Sequence, residues 1–167
     1  LKIAFNNNQE GLQKALTAQS DYGDTPLHKA TLNVHSVIIK TLVSALKEAF
    51  TSNQQKLERA LTQEDYDGWT PLHWAAKNSN AQSVRALFTE FKEVFAQNQQ
   101  GLQKALIQQS NDGCAPLHMA AQNKDSEVIK TLISVLKEAF GKNKLGLRQA
   151  LNHDNCHETT ALLLAIN

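Results

Sequence analysis

Histidine is the side chain most able to exchange a proton near neutral pH, and this chain of 167 residues has six. Three of them, His28, His73 and His118, each follow a Pro-Leu pair. Cys114 lies just upstream of His118, and Cys156 stands between Asp154 and His157. Such residues offer a general base, a metal ligand or a thiol nucleophile with its base. The spacing argues against all three. Pro26 to Pro71 is a step of 45 residues, and Pro71 to Pro116 is 45 again. The histidines therefore hold equivalent places in successive units. Stacked helices stand ~8–10 Å apart, whereas zinc holds its ligands at about 2 Å, so the three cannot share one metal. No Cys-x-x-Cys pair is present, and nothing in the pattern holds a base against either thiol. No catalytic residue, metal or cofactor is expected.

The elements around these histidines repeat as strictly as they do. Phe5, Phe50, Phe95 and Phe140 fall on the same step, as do Asn8, Asn53, Asn98 and Asn143. Two leucine ladders follow it, through Leu12 and Leu16 to Leu147 and Leu151. A degenerate fourth Pro-Leu-His falls at Ala161-Leu162-Leu163. Repeats at one fixed period imply one structural unit stacked in register. Residues 65–109 show that unit. Asp67-Gly68 is a turn signal, Thr70 suits a helix N-cap, and Pro71 suits the first helical position. A short helix follows, ending near Asn78, which is expected to take the left-handed turn. Val84, Leu87, Phe88, Phe91 and Phe95 recur at helical steps and make a longer helix. Asn98 breaks it and caps a third, short helix carrying Leu102, Ala105 and Leu106. No segment alternates long enough to be a strand. The fold class is all-α, a single array over 1–167 with units at about 1–19, 20–64, 65–109, 110–154 and 155–167.

The residues "DYDGWTPLHWAAKNSNAQSVRALF", with "DYGDTPLHKATLNVHSVIIKTLV" and "NDGCAPLHMAAQNKDSEVIKTLI", resemble the ankyrin repeat. Ankyrin units run to about 33 residues, so each unit here carries an addition after the second helix. Val34, Ser79 and Lys124 stand where the family has a glycine, and the preceding asparagines are expected to make that turn. The resemblance implies an ankyrin-like α-solenoid and a structural role for the three histidines, bonded to the turn and the neighbouring unit. It also implies protein binding through turn tips and short-helix ends. Those positions are Asp21, Tyr22, Asp24 and Leu32; Tyr66, Asp67, Trp69 and Lys77; and Asn111, Asp112, Cys114 and Gln122. Trp69 is expected to face solvent at a tip and anchor the partner, and Trp74 to pack between units.

Composition narrows the alternatives. Charged residues make up 20% of the chain and the net charge is +1, too little for a broad nucleic-acid surface. No apolar run reaches the ~20 residues that span a bilayer. Two cysteines are too few for a disulfide framework, so a reducing cytoplasmic setting is expected. The Gln-rich runs "NQQ" and "IQQS" read as solvated turns. Both ends fall inside a unit, and the apolar "ALLLAIN" is not a polar cap, so a fragment of a longer protein is expected. The primary expectation is a monomeric protein-binding module that contacts neither nucleic acid nor membrane. An alternative is the targeting arm of a larger enzyme or a bacterial effector delivered into a host cytosol. A third is self-association through the extra helices.

Overall fold

The computed structural model describes residues 8–33 and 36–152. The sequence expectations for Phe5, Val34, Cys156 and the degenerate fourth copy lie outside those residues.

Ten helices follow one another along the described chain, with no strand among them. They are α1 (Gln9–Leu16), α2 (Pro26–Ala30), α3 (Val37–Ala49), α4 (Gln54–Leu61), α5 (Pro71–Lys77), α6 (Ala81–Val94), α7 (Gln99–Ile107), α8 (Pro116–Gln122), α9 (Ser126–Phe140) and α10 (Lys144–Leu151). The order short, long, short recurs three times after α1. Each third helix starts where the asparagine ladder places its cap. The side chains of Asn8, Asn53, Asn98 and Asn143 accept the backbone N–H groups of Gly11, Lys56, Gly101 and Gly146. These bonds satisfy donors that a helix start otherwise leaves without partners.

Stacking buries one continuous core. On the short helices, Leu72, Ala75, Ala76, Ala120 and Ala121 are wholly buried. Their small side chains let α5 and α8 come close. On the long helices Ile39, Val43, Val84, Leu87, Val128 and Leu132 fill the next layer. The third helix of each unit packs on the long helix of the next, as α1 on α3, α4 on α6 and α7 on α9. Phe50, Phe95 and Phe140 are buried beneath those helices together with Leu12, Leu57 and Leu102. Each such side chain contributes about 1.5–3 kcal/mol.

Two features differ from the sequence expectation. The turns after the short helices α5 and α8 are not made by asparagine. Asn78 has φ −91° and Asn123 φ −80°, while Ser79 and Lys124 themselves carry φ +54° and +56°. The asparagines continue the helical bonding through their N–H groups to the Trp74 and Met119 carbonyls, which pushes the reversal one residue on. The "NQQ" runs are not solvated turns either. They open the third helices, and their first glutamine crosses to the next unit. Gln9 donates to the Ala49 carbonyl at 3.1 Å. Gln54 and Gln99 donate to the carbonyls of Val94 and Ala139. Ala49, Val94 and Ala139 end the long helices or lie at their last turn, where carbonyls lack helical partners. A second link runs along the long helices. Lys47 bonds Glu93 at 2.7 Å and the buried Glu90 at 2.9 Å, and Lys92 bonds Glu138 at 2.6 Å.

Candidate protein-binding surface

Each turn tip is fixed by its own backbone. The N–H of Asp65 donates to the Trp69 carbonyl at 2.9 Å, and that of Gly68 to the Asp65 carbonyl at 3.0 Å. The Ser20–Asp24 and Ser110–Cys114 pairs repeat the first of these bonds. Gly68 sits at φ +77°, where a side chain is strained. A Cβ at Gly23 would also fall 2.6 Å from the Tyr66 ring, so the tips are in close contact. Backbone bonds then tie tip to tip. The Tyr66 N–H donates to the Tyr22 carbonyl at 3.2 Å, and the Asn111 N–H to the Asp67 carbonyl at 3.0 Å. The Asn111 side-chain amide adds a bond to the Tyr66 carbonyl at 2.9 Å.

The histidines lock this row from below. His73 Nδ1 accepts the Thr70 N–H at 3.1 Å, which leaves the ring proton on Nε2. That proton is donated to the Cys114 carbonyl of the next unit, at 2.9 Å. His28 repeats the arrangement with Thr25 and the Trp69 carbonyl, at 3.0 and 2.8 Å. Ala115 donates to His118 in the same way at 3.1 Å, although it has no hydroxyl to offer. Burial pushes the His73 pKa down to about 4 and lowers that of His28 as well. A wholly buried ring with both nitrogens engaged is a bridge between units, and it has no open position at which to take a substrate proton.

The geometry divides the expected contact residues. Asp21, Tyr22, Tyr66, Asp67, Asn111 and Asp112 are exposed along the tips, as are Leu32 and Gln122 at short-helix ends. Lys77 is half-buried. Asp24 and Cys114 are 3% and 4% exposed, and Trp69 is half-buried and packed on the core. The solvent-facing placement expected for these three is corrected by their shared position: their carbonyls close the hairpin, and those of Trp69 and Cys114 receive the histidine of the preceding unit. The side chain beside that carbonyl turns inward. The Asp24 carboxylate is 3.0 Å from Lys29 and accepts the Ser20 hydroxyl at 2.5 Å. Burial opposes its ionisation, but the Ser20 hydroxyl and Lys29 outweigh burial and lower its pKa.

Trp74 packs between units as expected. Its ring meets His28 edge-on at 5.5 Å and lies 4.8 Å from the Lys29 ammonium. Its indole N–H donates to Asp65 at 2.8 Å. Asp65 also accepts the N–H groups of Asp67 and Trp69. This buried aspartate organises the second tip, and sequence reasoning passed over it. The signal available was its register with Ser20 and Ser110, two short hydrogen-bonding residues that likewise turn back on their own tips.

A family model for ankyrin repeats in three copies matches residues 1–98 and, overlapping, 59–144. The chain belongs to the ankyrin-repeat family. Ankyrin repeats are in general protein–protein interaction modules. No curated protein matches this ankyrin chain. Among its described residues, no helix is long and apolar enough to cross a membrane, and no cluster of His, Cys, Asp and Glu is suited to hold a metal.

Proposed function

We propose that this array binds a protein partner along its row of tips, with Tyr22 and Tyr66 as the anchors. One observation carries the reading: these two tyrosines are 79% and 66% exposed on tips joined by a backbone hydrogen bond. Aromatic side chains presented on a rigid frame are favoured anchors, because little entropy is lost when they are covered. Asp21, Asp67 and Asp112 flank them, and no salt bridge neutralises those three among the described residues. An aromatic row edged with carboxylates suits a partner surface that offers basic and apolar side chains together. Leu32, Lys77 and Gln122 extend the strip along the short-helix ends. Asp24, Trp69 and Cys114 support the surface from beneath. The test is affinity capture with wild type and with a Tyr22→Ala/Tyr66→Ala variant, compared by mass spectrometry. The reading expects a protein retained by wild type and lost by the variant. Equal retention by a folded variant would remove it.

A further inference from the structure

The third helices carry a charge that the rest of the chain does not. In α1, α4, α7 and α10 there are six cations, Lys14, Lys56, Arg59, Lys104, Lys144 and Arg148, against Glu10 and Glu58. That is +4 in a chain of net charge +1, so the remainder carries −3. Lys14 pairs with Glu10 at 3.2 Å. Lys56, Arg59, Lys104 and Arg148 are exposed and have no ion-pair partner among the described residues. Glu58 is held by amides of Asn98 and Gln54. Glu64, just beyond α4, is held by Gln108 at 2.6 Å.

These helices also leave clefts between them. One of about 600 Å³ lies beside α4, between Thr17 and Arg59. A second of about 560 Å³ lies between α4 and α7, and a third of about 830 Å³ between α7 and α10. Their walls are shared: Arg59 lines the first and second, and Lys104 the second and third. The clefts therefore adjoin as one open channel with an unpaired cation on each dividing wall, and its lining carries Lys56, Arg59, Lys104 and Arg148 against Glu58 and Glu64. Phe50, Phe95 and Phe140 give it an apolar floor. Gln55 and Gln149 add amides able to bond an extended backbone.

We infer that this channel binds an extended acidic segment of a partner protein, a site separate from the tips. Cations, apolar floor and amides match the carboxylates, apolar side chains and backbone of such a segment. Nucleic acid fits less well, because a chain of net charge +1 offers too few cations to replace the counterions along a phosphate backbone. A bilayer fits less well, because Leu145 is the one large apolar side chain exposed on the described helices of this row.

The experiment uses the whole chain and a labelled peptide alternating glutamate and leucine. Comparison probes are the lysine–leucine counterpart, an oligothymidylate and phosphatidylserine vesicles. Fluorescence anisotropy is expected to show binding of the acidic peptide alone, weakening with salt. Arg59→Glu/Lys104→Glu should lower affinity about tenfold or more, and Arg59→Gln/Lys104→Gln should give part of that loss. Lys40→Glu/Lys130→Glu and the tyrosine variant of the tips should leave it unchanged. Failure of the tyrosine variant to affect peptide binding, with loss of its protein partner, separates the two surfaces. The inference is overturned if the acidic peptide fails to bind or if both Arg59/Lys104 variants bind it as wild type does. Preference for oligonucleotide or vesicles would also overturn it. So would light scattering that shows a dimer dissolved by the Arg59/Lys104 substitutions, since the channel would then hold a second copy.

Discussion

Acidification should loosen the stack through His73. The folded pKa is about 4 and the ordinary value 6.5. The folded array thus favours the neutral ring, and the unfolded chain takes up the proton first. The stabilisation is complete above pH 6.5 and is lost as pH falls toward 4. From pH 7 to pH 4.5, this one group accounts for about 2–3 kcal/mol, a large share of the ~5–15 kcal/mol that holds a domain together. His28 is shifted the same way and adds to the loss. The aspartates and glutamate with lowered values, Asp24, Glu93 and Asp125, start from 3.8 to 4.5, so their stabilisation begins to fall only at the acid end of that window, and equally in wild type and a His73 variant. The assay is urea unfolding at pH 7 and pH 4.5, followed by tryptophan fluorescence and circular dichroism. His73→Gln should cost about 1–3 kcal/mol at pH 7, because the Thr70 N–H and the Cys114 carbonyl lose their bridge. It should also be about 2–3 kcal/mol less sensitive to the pH change than wild type. Equal pH sensitivity of the two proteins would contradict the buried, neutral bridge.

Other perturbations separate the tips from their supports. Lys124→Gly should stabilise the array by about 0.5–1 kcal/mol in the same unfolding assay, since the position holds positive φ, and Ser79→Gly should gain less, because its side chain also bonds Asp125. Gln54→Ala should cost about 1 kcal/mol by freeing the Val94 carbonyl. Trp69→Ala should cost about 3 kcal/mol as a large side chain packed on the core. Tyr66→Ala should change stability by less than about 0.5 kcal/mol, so melting curves of the two variants distinguish support from contact surface.

Much of the stack could be read from residue identities, because the constraint and the side chain coincided. Asn53, Asn98 and Asn143 cap helices with their own amides. His28 and His73 bridge units through their own rings. Where the constraint falls on the backbone, the sequence is silent. Asp24, Trp69 and Cys114 share a register because of their carbonyls, and three unlike side chains give no hint that all turn inward. The same holds for the glutamines. Gln54 and Gln99 look like solvated polar residues until the long helix of the next unit brings its last carbonyls within reach. At the second tip Tyr66 faces outward as expected, and only Trp69 departs from expectation by packing on the core.

The protein-binding role of the tips is tested most directly by titrating the captured partner into wild type and Tyr22→Ala/Tyr66→Ala by calorimetry. A loss of at least ~2 kcal/mol in binding, about thirtyfold in affinity, with an unchanged melting curve is the result expected of two anchor side chains. An unchanged affinity would contradict the tips as the binding surface.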